Sequence, residues 1–214
     1  MMEQAGMTDC DDDQPRSMRD AGVRERRRAM LGLPHMIALT SFAEKLRRPG
    51  LQVPDFDPCD GGVEAGVLFL LQKTGRMATK AGSGKRPGSG FISRDNDDST
   101  AEATFKFMRK AKIPRERTIL WNVIPWWDET HAVKGSDLKD GRASLKELIE
   151  LLLPKLCAVM LVGGKAAEAK PELETIPRLC LFNSFHPSPL VRASWPEKWK
   201  AIPSEWRKVA KCIA

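Results

Sequence analysis

No apolar stretch in this chain reaches the ~18 residues that a membrane-spanning helix needs. Tyrosine is absent, so aromatic contacts fall to the eight phenylalanines and six tryptophans. The five cysteines (Cys10, Cys59, Cys157, Cys180 and Cys212) include no C-x-x-C pair. Their odd count and scattered spacing argue against a disulfide framework and against a zinc or iron–sulfur site, so no metal and no cofactor is expected. Cys157 and Cys180 sit in apolar runs and read as small buried hydrophobes, which points to a reducing compartment, the cytoplasm. Acids crowd Cys10 (Asp9, Asp11, Asp12, Asp13) where a secretory leader would be basic and then apolar. What is present is enough for one domain: 214 residues, 42% hydrophobic, with 35 Lys and Arg against 28 Asp and Glu, a net charge of +7. That balance suits a polyanionic partner.

Residues 1–28 are polar and lack an apolar period, and are expected to be a mobile segment ahead of a domain over 29–214. The basic run Arg24–Arg28 has two readings, a contact to nucleic-acid phosphates or a solvated lead-in to a helix. That helix is predicted over 34–46, with Pro34 in its first turn and Arg47, Arg48, Pro49 and Gly50 ending it. Apolar runs at 67–72, 118–123, 158–162 and 178–185 read as buried parallel strands. Helical patterns cover 99–112, 144–153, 166–170 and part of 196–212. This alternation predicts an α/β fold, a three-layer αβα sandwich around a central four-stranded parallel sheet. Ligands in such folds collect beyond the carboxyl ends of the strands. Gln72–Gly75, Asn122–Trp127, Gly163–Gly164 and His186–Leu190 should therefore share one crevice.

The segment Ala81-Gly82-Ser83-Gly84-Lys85 fails as a phosphate loop. Thr79 stands where its first glycine belongs, and Arg86 stands where Ser or Thr should follow the lysine. The basic residues around it (Lys73, Arg76, Lys80, Lys85, Arg86, Arg94) can follow a phosphate backbone or simply face solvent. His186 is the most informative residue. Pro187 and Pro189 stiffen the turn around Ser188, and a neutral imidazole held there can donate a hydrogen bond to developing negative charge. Asn122, at a strand end, offers an acceptor and two donors in one plane, which suits a pyrimidine edge or the backbone that ends the strand. Phe91 can stack on an extruded base or fill the core. The run Asp95-Asn96-Asp97-Asp98-Ser99 can orient water or cap a helix.

Taken together, His186-Pro187-Ser188-Pro189-Leu190, the strand Leu120-Trp121-Asn122-Val123 and Phe91 resemble the uracil-DNA glycosylase superfamily over about residues 66–199. The resemblance implies a monofunctional glycosylase that flips uracil out of single- or double-stranded DNA and hydrolyses its N-glycosidic bond, leaving an abasic site. It implies that Phe91 stacks on the base, Asn122 reads its edge, His186 stabilises the departing anion and Leu190 fills the vacated stack. DNA contacts fall to Ser188, Leu190, Arg192, Arg76 and Arg94. The first family motif is altered here to Leu71-Gln72-Lys73-Thr74-Gly75. Gln72 matches a residue seen in relatives, Lys73 replaces a water-activating aspartate, and Gly75 replaces the tyrosine that bars thymine. Gln72, Lys73 and Gly75 are expected to border the uracil, with Gln72 also joining His186 and Asp95 as a catalytic residue, Met77 as a selectivity element and Asp95 as the water-positioning acid. A monomer is expected. The alternatives are a glycosylase for another deaminated or mismatched base, a low-turnover binder of flipped or abasic DNA, and a nucleotide-binding α/β domain unrelated to repair.

Overall fold

Four runs of aliphatic residues, each too short for a helix and too apolar for a surface, leave the backbone one way to bury its polar groups, which is to pair with one another. A computed structural model describes residues 10, 12–152 and 154–213. In chain order the elements are α1 (Ala21–Ala29), α2 (Ile37–Leu46), β1 (Asp55–Phe56), β2 (Val67–Lys73), β3 (Phe91–Ile92), α3 (Ser99–Ala111), β4 (Thr118–Ile124), α4 (Gly135–Glu147), β5 (Ala158–Val162), α5 (Gly164–Ala167), α6 (Lys170–Leu173), β6 (Cys180–Ser184), α7 (Pro189–Ser194) and α8 (Pro196–Ala210). The four long strands form one parallel sheet in the order β4-β2-β5-β6, and β1 pairs with β3 beside it. The expected three-layer α/β architecture is what the chain adopts.

Register explains the layering. Phe69 pairs with Leu120 and Leu70 with Trp121, so successive residues point to opposite faces. On one face Phe69 meets Trp206 of α8 edge-on at 4.9 Å. On the other, Trp121 stacks on Phe56 at 3.9 Å and leans on Phe42 of α2 at 6.1 Å. Each large side chain so buried contributes roughly 1.5–3 kcal/mol. β6 is an edge strand that is only partly covered, and this leaves Cys180 exposed and Cys157 half-buried rather than sequestered as the apolar runs suggested.

Two helix boundaries differ from the sequence reading. Leu33, ahead of Pro34, is held in an extended conformation, as residues before proline are, and the helix starts only at Ile37. The helix expected over 144–153 begins at Gly135 and passes into a π-turn at Leu148–Leu152, while Leu153 lies outside the described residues. Its first half carries few apolar residues, so no period marked it. Gly141 explains how this half packs, because a β-carbon there would fall 2.0 Å from the Val123 carbonyl oxygen. The glycine lets α4 lie directly on β4.

The expected mobile segment also needs correction. Residues 1–9 and 11 lie outside the described residues, but 12–28 are part of the fold. Asp20 caps α1, and Met18 and Val23 are buried against Phe91. Arg27 and Arg115 are buried at the centre of a carboxylate cluster. Arg27 donates to Asp57 at 2.5 Å, Asp12 at 2.5 Å and Asp95 at 3.0 Å. Arg115 donates to Asp13 at 2.5 Å, Asp57 at 2.7 Å, Asp95 at 2.7 Å and Asp60 at 3.0 Å. The acids near the N-terminus looked solvated because their partners lie far away in sequence. A Cys10–Cys59 disulfide, with Cα atoms 6.1 Å apart, fastens the same segment. It overturns the expectation of unpaired cysteines and, with it, the cysteine argument for a reducing compartment. No helix among the described residues is long and apolar enough to cross a membrane.

Candidate active site

A cavity of about 470 Å³ opens at the carboxyl end of the sheet, where β2, β4 and the segment after β6 converge. Strand alternation selects its walls. Leu71 and Lys73 of β2 and Leu120 and Asn122 of β4 face it, while Trp121 turns to the opposite layer. Ile92 and the first turn of α3 close one side, and His186 closes another.

His186 is held by a short, stiff turn. Its carbonyl accepts from the Ser188 N–H at 2.8 Å, and Ser188 Oγ in turn accepts from the Val191 N–H at 3.4 Å and caps α7, whose first residue is Pro189. Below it, Gly163 adopts φ +91°, and a β-carbon there would sit 3.2 Å from that of His186. Gly163, directly after β5, thus makes room for the ring. Burial pushes the His186 pKa below its ordinary value, which favours the neutral imidazole. Asn122 is 5% exposed and donates from Nδ2 to Thr74 Oγ1 at 3.2 Å. This fixes the amide plane and leaves Oδ1 and the second Nδ2 hydrogen for a ligand.

Lys73 borders the cavity, but its charge is committed. Nζ donates to Asp128 Oδ1 at 2.6 Å and to the Ala132 carbonyl at 2.8 Å, tying down the loop after β4. Burial pushes the Asp128 carboxyl up, but the lysine bond outweighs this and holds it below the usual range. The same loop brings His131 to the cavity, edge-on to Trp127 at 4.8 Å. Gly75, Arg76 and Met77 also line it.

Four expected site residues lie elsewhere. Phe91 is 1% exposed and belongs to the small cluster with Met18 and Val23, so its neighbour Ile92 faces the cavity in its place. Asp95 is fully buried, its Oδ2 bound by Arg27 and Arg115, where it can reach no substrate water. Gln72 falls between two cavity-facing residues of β2 and points to the other side. Arg94 is 2% exposed, bonded to Asp13 at 3.0 Å with its guanidinium over the Phe105 ring, and is closed to DNA.

Of the run 95–99, expected to orient water through Asp95 or to cap a helix, it is Asn96 and Asp98 that line the cavity. The signal for Asp98 was present, since an Asp immediately before Ser-Thr-Ala marks a helix start, and capping side chains point where helix ends point. Beside the cavity, Leu190 is 68% exposed and Trp195 49%. Lys198 lies over the Trp195 and Phe185 rings at 5.4 and 4.9 Å, so this apolar ridge carries cations. No metal-binding cluster occurs among the described residues.

No curated protein matches the chain. A family model, that of the uracil DNA glycosylase superfamily, matches residues 85–206, more than half of the sequence. The match takes in β3 through most of α8 and leaves out β2 with its altered Gln72–Gly75 segment. A parallel sheet carrying a rigid His186 turn and a strand-end Asn122 to one cavity is thus joined to a match over most of the domain: the chain belongs to the uracil DNA glycosylase superfamily.

Proposed function

We propose that this DNA glycosylase removes uracil from DNA as a monofunctional enzyme, leaving an abasic site. The observation that carries the reading is the joint presence of His186, on its stiff turn, and the anchored Asn122 in one cavity. Flipping a nucleotide costs a few kcal/mol, on the order of its lost stacking and pairing. A pocket must return that cost through contacts to the base edge. Asn122 Oδ1 accepts from N3–H and its free Nδ2 hydrogen reaches O4. As the C1′–N1 bond opens, charge builds on the base, and His186 donates to it without bringing a positive charge of its own. Leu190 enters the stack beside the departed base, and Arg76, Arg192 and Ser188 meet phosphates.

One observation favours a wider base range. A β-carbon placed at Gly75 meets nothing within 4 Å, so the wall where relatives carry a tyrosine is open. Thymine in a mismatch or hypoxanthine can enter that space. Release of free base from oligonucleotides carrying uracil, mismatched thymine or hypoxanthine tests both readings. Uracil released at least tenfold faster than the others supports the uracil enzyme, and preferential hypoxanthine release supports the wider one. Leu190→Ala is expected to slow release from duplex DNA about tenfold, on the order of one lost apolar wedge of 1–2 kcal/mol, and to leave single-stranded DNA nearly unaffected. Parallel assays on the two substrates check it, and equal loss on both would remove the wedge role.

A further inference from the structure

Hydrolysis needs a water held and deprotonated beside C1′, and neither Lys73 nor Asp95 can do this. Among the described residues that line the cavity, Asp98 is the one carboxylate. The other acids of its loop are spent. Asp95 is locked by Arg27 and Arg115, and Asp97 is bonded to Arg16, Arg19 and Arg86.

We propose that Asp98, together with Asn96, holds the attacking water and that Asp98 is its general base. The geometry has three parts. Oδ1 of Asp98 accepts from the Thr100 and Ala101 N–H groups, both at 2.9 Å, which fixes the carboxylate on the first turn of α3, a helix of 13 residues. No protein group among the described residues bonds Oδ2, so the second oxygen is free for water. Asn96 supplies an independent sign that a small polar ligand belongs here. It is 4% exposed and lines the cavity, its Nδ2 donates to the Phe91 carbonyl at 2.9 Å, and its Oδ1 is buried with no partner. A buried acceptor left empty costs roughly 1–3 kcal/mol, and a water donating to it removes that cost.

This inference rests on the glycosylase reading above. The water oxygen bonds to C1′ as the C1′–N1 bond breaks, and the electron pair of that bond leaves with the base. The water proton passes to Asp98 Oδ2 and then to solvent. Burial raises the Asp98 pKa, against the two backbone N–H groups that lower it, and a carboxylate raised in this way is the stronger base.

Asparagine is as good a helix cap as aspartate, so Asp98→Asn keeps the fold while removing the base. In single-turnover release of uracil from single-stranded DNA, Asp98→Asn is expected to lose about 10²-fold, the usual scale for general-base catalysis. Its melting temperature and its affinity for the uracil-containing strand should stay at wild-type values. Asp98→Ala should lose the same activity and also some stability. Asp98→Asn within threefold of the wild-type rate would overturn the proposal and leave the glycosylase reading standing. Loss of activity only in Asp98→Ala, in step with its stability, would reduce Asp98 to a cap and overturn the proposal as well. A wild type that releases no base from any DNA would overturn both.

Discussion

Arg115→Ala lowers the melting temperature by on the order of 10 °C at pH 8, a loss of about 3–5 kcal/mol. Arg115 is 8% exposed and holds Asp13, Asp57, Asp60 and Asp95. Arg27 alone cannot neutralise what remains, because it reaches Asp57, Asp95 and Asp12 but not Asp60. Removing one partner of a buried ion cluster leaves the others desolvated and unpaired, which costs more than the cluster contributes when whole. Against a total stability of roughly 5–15 kcal/mol this is a large fraction. The deficit has a pH signature. Burial pushes Asp60 up to about 7, ahead of the lowering by Arg115. A carboxyl raised in the folded state favours folding below its ordinary value near 3.8, and the advantage fades as pH climbs towards about 7. Loss of Arg115 raises Asp60 and its neighbours further, so acid relieves the variant more than the wild type. Thermal melts at pH 5 and pH 8 should show the gap narrowing at pH 5. A gap of constant size, or a variant as stable as the wild type, would mean that the cluster is not organised around Arg115.

The second large effect falls on His186. His186→Ala is expected to cut single-turnover base release about 10²–10³-fold, the scale on which one preorganised donor to a developing anion acts. DNA affinity should change little, because the imidazole meets its charge only as the glycosidic bond opens. Stability supplies a separate readout. The folded-state pKa of His186 is lowered by burial, so its contribution to stability is present above about 6.5 and is lost as pH falls through that value towards the lowered one. The alanine variant lacks this component and should melt with a flatter dependence on pH as pH falls below about 6.5. Loss of activity together with loss of DNA affinity would instead assign His186 to binding.

The sheet was legible because its signal is local. Val67–Lys73, Thr118–Ile124, Ala158–Val162 and Cys180–Ser184 are apolar runs of strand length, and their parallel order follows from the helices between them. The rule that parallel sheets gather ligands at their carboxyl ends then sufficed to bring Asn122, Gly75 and His186 to one cavity. What stayed hidden depended on partners distant in sequence. Asp95 looked available because nothing near it is basic except Arg94, whereas its arginines come from residues 27 and 115. Phe91 and Ile92 differ by one position, and on a two-residue strand only tertiary packing decides which faces the cavity. Asp98 was marked as a cap, but a cap motif does not say what the helix end points at.

Base release by this glycosylase, as proposed, depends on His186 and Asn122 together. The most direct measurement is single-turnover release from a single-stranded oligonucleotide containing one deoxyuridine, following free uracil and the alkali-labile abasic site together. Wild-type protein should yield both in equal amounts, and the His186→Ala and Asn122→Ala variants should each fall to about a hundredth of that rate or below. Tight binding of the oligonucleotide with no release of uracil would mean that His186 and Asn122 hold a base without releasing it.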